Sequence, residues 1–199
     1  MQRWISLAVT VLLLLGCAGT VELPERTAAP SRGEQAARPL DPVAEQAFQA
    51  ALSDLKAPRL EQAIDQFRKL TLSHPGYRGP WINLGIALRE AGRTDESLAL
   101  FRDMVSAHAD WAVAHHELAI LQRQQGQFEA ARRSYEAAIQ INPDFALAYR
   151  NLGLLCDLYL HDINCALSKY EKYQTLLGSE DKEVALWVAD AKRRLTKDD

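Results

Sequence analysis

At 199 residues the chain has the length of one ordinary domain with appendages, and its 48% hydrophobic and 25% charged content suits a globular fold with a packed core. A formal net charge of −3 excludes the strongly basic face that nucleic-acid binding requires, so no nucleic-acid partner is expected.

The N-terminus carries one positive charge, Arg3, followed by the apolar run Trp4 to Leu15, broken only by Ser6 and Thr10. Twelve helical residues rise about 18 Å, short of the roughly 30 Å hydrocarbon core of a bilayer. A charged start, a short apolar stretch and small residues after it describe an export signal rather than a membrane span. The run ends Leu14-Leu15-Gly16-Cys17, which resembles the lipobox of bacterial lipoproteins: a branched aliphatic residue at −3, a small one at −1, then Cys. Leu15 departs from the small residue usual at −2. The resemblance implies cleavage after Gly16 and a Cys17 whose thiol is diacylated, with palmitate-type chains as the membrane anchor. Acyl chains anchor by burying methylenes at about 0.8 kcal/mol each, and two or three make attachment effectively permanent. Ala18 at +2 implies, by the same resemblance, sorting to the periplasmic face of the outer membrane. The alternatives are an ordinary secretory signal in which Cys17 is incidental, or an uncleaved anchor.

Residues 1–16 are therefore read as signal peptide and 17–41 as lipidated Cys and tether. The latter stretch carries Pro24, Pro30 and Pro39 among Glu, Arg, Ser, Thr and Ala. With few large apolar side chains it cannot bury enough surface to offset ordering.

From there a 34-residue period runs through the chain. Trp81, His115 and Tyr149 are equivalent; so are Leu84, Leu118 and Leu152, then Gly85, Ala119 and Gly153. Gly92 repeats as Gly126, Phe67 as Phe101 and Tyr135, and Pro75, through Ala109, as Pro143. Trp81-Ile82-Asn83-Leu84-Gly85 is similar to the W-x-x-L-G signature of tetratricopeptide repeats. The resemblance covers roughly Val43 to Tyr173 and implies an all-α helical solenoid of three to four helix-turn-helix repeats. Physically, the small residues let paired helices approach closely, and Phe67, Phe101 and Tyr135 are expected to fill the space between successive pairs. Gly92 and Gly126 close the interhelical turns, where positive φ costs glycine nothing. The array is placed at 42–177. Its first repeat is degenerate, with Pro58 in place of the turn glycine. In the fourth, Leu160 stands at the glycine position and the turn carries one extra residue. Residues 178–199 form a capping helix and tail: Val184, Trp187, Val188, Ala191 and Leu195 recur at helical spacing after Ser179-Glu180-Asp181.

Of three cysteines, Cys156 and Cys165 flank the irregular turn of the fourth repeat. An antiparallel helix hairpin in an oxidising compartment can bring them within bonding distance; alternatively they are two small buried hydrophobes. The five histidines form no metal set: His115 and His116 are adjacent and cannot chelate together, and His161 lies in the odd turn. His74 and His108 fall at helix C-termini, where a partly charged imidazole suits the dipole. No nucleophile elbow, phosphate-cradling loop or H-E-x-x-H occurs. No catalytic residue, metal or cofactor is expected.

What remains is the inner surface formed by the first helix of each pair. The ninth position of successive repeats gives the aliphatic ladder Leu52, Ile86, Ile120 and Leu154. The fifth adds Ile82, His116 and Arg150, the sixth Asn83 and Asn151, and the twelfth Arg89 and Arg123. This set is the candidate protein-binding groove for an extended peptide or a helix; part of the ladder is alternatively packing between repeats. Arg89 and Arg123 are read as exposed cations that contribute little to folding. The carboxylate clamp of chaperone-binding tetratricopeptide proteins needs Asn at the ninth position, which is Leu or Ile here. Lipobox and repeats together resemble the outer-membrane lipoproteins that act as pilotins for type IV pilus secretins. That implies a non-enzymatic scaffold helping to assemble or localise an envelope complex. Alternatives are an accessory of an energy-transducing or gliding-motility complex, and an adaptor for peptidoglycan hydrolases or proteases.

Overall fold

Asp41 opens the helical array by accepting hydrogen bonds from the amides of Val43 and Ala44 at 3.0 and 2.9 Å. From there the computed structural model describes residues 41–55 and 59–196, which lie in one unit spanning Pro39–Asp199. Residues 1–40, which hold the expected signal segment, Cys17 and all but the last residue of the expected tether, fall outside the described residues, as do residues 56–58, Pro58 among them, and the last three.

The described residues form helices α1 (Pro42–Leu55), α2 (Leu60–Ser73), α3 (Arg78–Glu90), α4 (Thr94–Ala107), α5 (Ala112–Gln124), α6 (Phe128–Ile141), α7 (Ala146–Leu158), α8 (Ile163–Leu177) and α9 (Lys182–Leu195). They pair as α1/α2, α3/α4, α5/α6 and α7/α8, with α9 laid on α8. Each helix packs on the next, so the pairs stack into a helical solenoid. First helices also pack directly on one another, α1 on α3 and α3 on α5. Second helices reach each other through long side chains such as Arg68 and Glu96, 3.2 Å apart. The first-helix side is therefore the narrow, inner side of the stack.

Glycine closes the turns between paired helices where expected: φ is 75° at Gly92 and 73° at Gly126. The amides of Arg93 and Gln127 then reach back to the carbonyls of Leu88 and Gln122, each at 2.8 Å. The α7/α8 turn differs. Its left-handed residue is His161 (φ 53°), not Leu160, and the closing bond runs from Asp162 N–H to Cys156 O at 2.9 Å. The extra residue shifts the left-handed position by one. Asp162 then caps α8 by accepting from Cys165 N–H, and a disulfide joins Cys156 to Cys165 with Cα atoms 5.9 Å apart.

The inner helices α3, α5 and α7 begin on Tyr77, Trp111 and Phe145 and have no side-chain cap. Packing takes the place of capping. Tyr77 meets the Phe48 ring at 5.3 Å, Phe145 meets His116 at 4.9 Å, and Trp111 is buried. Buried aromatics contribute on the order of 150–250 Å² each, enough to offset a missing cap.

The core runs as three successive clusters, around Phe67, around Phe101 and Trp111, and around Tyr135 and Tyr170. The aromatics do not only fill space between pairs, as the repeat pattern suggests. The Phe101 ring lies against Gly85 of its own pair, where an added Cβ would come 2.3 Å from its Cζ. The missing Cβ is what lets α3 and α4 close.

Candidate functional site

The inner wall follows from the helical period: along α7, Leu147, Leu154 and Leu158 are seven and four residues apart and share one face. On α5 the same face carries Val113 and Ile120. Val113, Leu147 and Leu158 are 43%, 51% and 59% exposed, high values for aliphatic side chains in a packed array. Of the expected ladder, Leu52, Ile86, Ile120 and Leu154 are all half-buried. Leu52, Ile120 and Leu154 pack against the core with one edge and face the inner surface with the other. Ile82 is likewise half-buried against the Phe101 cluster. Val113, Leu147, Leu158 and Tyr159 were outside the sequence-derived set. Counting the second and thirteenth repeat positions, as well as the fifth, sixth, ninth and twelfth, would have included the first three.

The polar members of that set are largely engaged within the chain. Asn83 donates from Nδ2 to Gly79 O of its own helix at 2.9 Å. Asn151 donates to His116 Nε2 at 2.8 Å, and the other imidazole nitrogen, Nδ1, lies 3.3 Å from Glu117 Oε1. In these contacts Nε2 accepts from Asn151 and Nδ1 is placed to donate to Glu117. His116 is only 4% exposed, set against the rings of Phe145 and Tyr135, so it is a core residue rather than a groove residue.

Arg89 departs from the expected exposed cation. Its side chain is 17% exposed and ion-paired with Glu117, itself 10% exposed. Burial alone would push the Glu117 carboxyl up; the hydrogen bond from His116 and the charge of Arg89 outweigh it and hold the pKa below the ordinary value. Arg89, Glu117, His116 and Asn151 thus form one polar chain across α3, α5 and α7. Arg150 is taken up by the capping helix, 3.6 Å from Glu183 and 5.2 Å from the centre of the Trp187 ring.

Arg123 is different. Its guanidinium lies 5.9 Å from the centre of the Tyr159 ring, beside the hydroxyls of Tyr135 and Tyr159. Among the described residues it makes no ion pair with a carboxylate, and neither its Nε nor Tyr135 Oη, both buried, has a hydrogen-bond partner.

The histidines at helix ends also depart from expectation in one case. His74 bonds Asp41 through Nε2 at 3.1 Å. His108 stacks on Trp111 with ring centres 4.5 Å apart, and burial, then Arg78, push its pKa down, so a charged imidazole is disfavoured there. Among the described residues no three His, Cys, Asp or Glu side chains converge as metal ligands, and no helix is long and apolar enough to cross a membrane.

Two family models match the chain: one for the tetratricopeptide repeat over residues 48–112 and one for the TPR repeat over 121–156. It is a tetratricopeptide-repeat protein. Solved structures similar to this TPR chain include PilF of Pseudomonas aeruginosa, at 20% identity and a TM-score of 0.68, with 77% of this chain and 69% of that one covered. A double mutant of MamA matches at 19% identity and TM-score 0.63, over 80% of this chain and 87% of its own. A thermophilic TPR protein from Thermus thermophilus matches at 15% identity and TM-score 0.62, covering 76% and 82%. Identities this low show a shared fold and no more. No curated protein matches the sequence. TPR arrays are in general surfaces for binding other proteins, and this one presents its unpartnered aliphatic row on the inner side.

Proposed function

We propose that this TPR protein is a lipid-anchored, non-catalytic scaffold, held at the periplasmic face of the outer membrane through Cys17, whose inner face binds a protein partner in an envelope complex of the pilus or secretin type. The observation that carries the binding part is the exposed row Val113, Leu147 and Leu158, continued by half-buried Ile120 and Leu154. A stable array gains nothing by leaving large aliphatic side chains in water along one face. The anchoring part rests on Leu14 to Cys17, and the choice of complex on the combined likeness to TPR lipoproteins of the pilotin kind.

Cys17→Ser tests the anchor. The variant is expected to lose incorporation of a clickable palmitate analogue and to leave the membrane fraction. Incorporation equal to that of the native chain would contradict the anchor. Affinity purification from solubilised membranes tests the scaffold: an envelope component should co-purify with the native protein and be depleted when Leu158→Asp is introduced. Equal recovery by both would contradict the assigned face.

A further inference from the structure

Resting on the inner face as the binding surface, we infer that its occupant is an amphipathic helix carrying a carboxylate side chain beside its apolar stripe, the carboxylate seated on Arg123. Two observations give the chemistry. Leu147, Leu154 and Leu158 extend about 16 Å along α7, and neighbouring helices stand roughly 8–10 Å apart, so with Ile120 they offer the footprint of an apolar stripe two to three turns long. An extended peptide fits less well, because it must have its backbone N–H and C=O groups satisfied on burial. The amides that could do so are partly taken, one N–H of Asn83 by Gly79 O and one of Asn151 by His116. A helix satisfies its own backbone and needs only the apolar surface.

The acidic requirement comes from the pairing of the arginines on the first helices. Arg89 is neutralised by Glu117 and Arg150 by Glu183. Arg123 is half-buried, backed by the hydroxyls of Tyr135 and Tyr159, and without a carboxylate partner among the described residues. The tyrosine rings hold the guanidinium in place, and an incoming carboxylate would add a charge-assisted pair that they do not supply. Its position decides where that carboxylate falls. Arg123 lies one turn beyond Ile120 and against Tyr159, which directly follows Leu158, so the acid sits at the turn end of the apolar stripe.

The test is a phage-displayed library of helical peptides, randomised on one face and selected on the full chain, with affinities measured by fluorescence anisotropy. Selected peptides are expected to carry aliphatic residues at i, i+3 or i+4, and i+7, with Asp or Glu one turn away. Changing that acid to Lys in the peptide should weaken binding to the native chain by about tenfold or more. Arg123→Glu should reverse the preference, so that the Lys peptide binds better than the acidic one. Because Arg123 packs against Tyr135, the peptide-side change on the native protein carries the test if that variant folds poorly. Enrichment without an acid, or an acid whose loss leaves affinity unchanged, overturns the proposed chemistry. If such peptides still weaken with Leu158→Asp, the inner face survives as the binding surface. If binding is indifferent to both Leu147→Asp and Leu158→Asp, or no binder emerges, the inner-face reading falls with it.

Discussion

Gly85 and Gly153 occupy equivalent places on α3 and α7, and each lies against an aromatic ring. An added Cβ would meet Phe101 Cζ at 2.3 Å and Tyr170 Cδ1 at 2.6 Å. Alanine improves helix propensity by about 1 kcal/mol, but overpacking against a fixed ring costs about 1–3 kcal/mol. Gly85→Ala is therefore expected to lower stability in denaturant unfolding, whereas Gly76→Ala, with nothing within 4 Å of its Cβ, should change it little. Glu117 supplies a second prediction at this scale. Its pKa is lowered in the folded state, so it contributes stability that is present above the unfolded value of 4.5 and is lost as pH falls through the lower folded value. Stability should fall on acidification below about pH 4.5, and Glu117→Gln should flatten that part of the profile. The same variant should cost on the order of 3 kcal/mol at neutral pH, since Arg89 is left half-buried against an uncharged amide. An unaltered acid limb would show that the carboxylate contributes nothing. Repeat counting placed His116, Asn151 and Arg89 on the inner face but could not show that they bond to one another. That network depends on side-chain direction, which a repeat count does not give.

The α7/α8 hairpin shows how one inserted residue is absorbed. Gly92 and Gly126 take positive φ in the other turns, and the insertion moves that duty to His161, which pays the strain of a left-handed non-glycine residue. The disulfide between Cys156 and Cys165 ties the two sides of this turn. Replacing both with Ala is expected to lower stability by about 2–3 kcal/mol, the loop-closure value for a ring of this size. His161→Gly should recover up to about 1 kcal/mol of it by relieving the backbone. If thermal melting of the double Ala variant matches the native protein, the bridge is dispensable. Helix pairs, turn glycines and the late start of α8 were legible in the sequence because each follows from a residue type recurring at a fixed step. The positions of Trp111 and Phe145 at helix starts carried no capping signal. Their role comes from packing between pairs, which a linear pattern does not encode.

Across the whole array, stability is the sum of pair-to-pair contacts, with α9 closing one end through Val184, Trp187 and Val188. What distinguishes the faces of such a stack is what each leaves uncovered. The inner face leaves an aliphatic row and, among the described residues, Arg123 without a carboxylate; the second helices leave charged residues such as Arg102 and Arg133 and the separate aliphatic Leu72. The most direct measurement of the scaffold claim is photocrosslinking in intact cells, with a photoreactive amino acid placed at Leu147 or Leu158 and, for comparison, at Arg102 or Arg133. A discrete crosslinked protein species is expected from the inner positions, absent from the outer ones and lost with Cys17→Ser. Crosslinks of equal yield from the outer positions, or none from the inner ones, would contradict the scaffold claim.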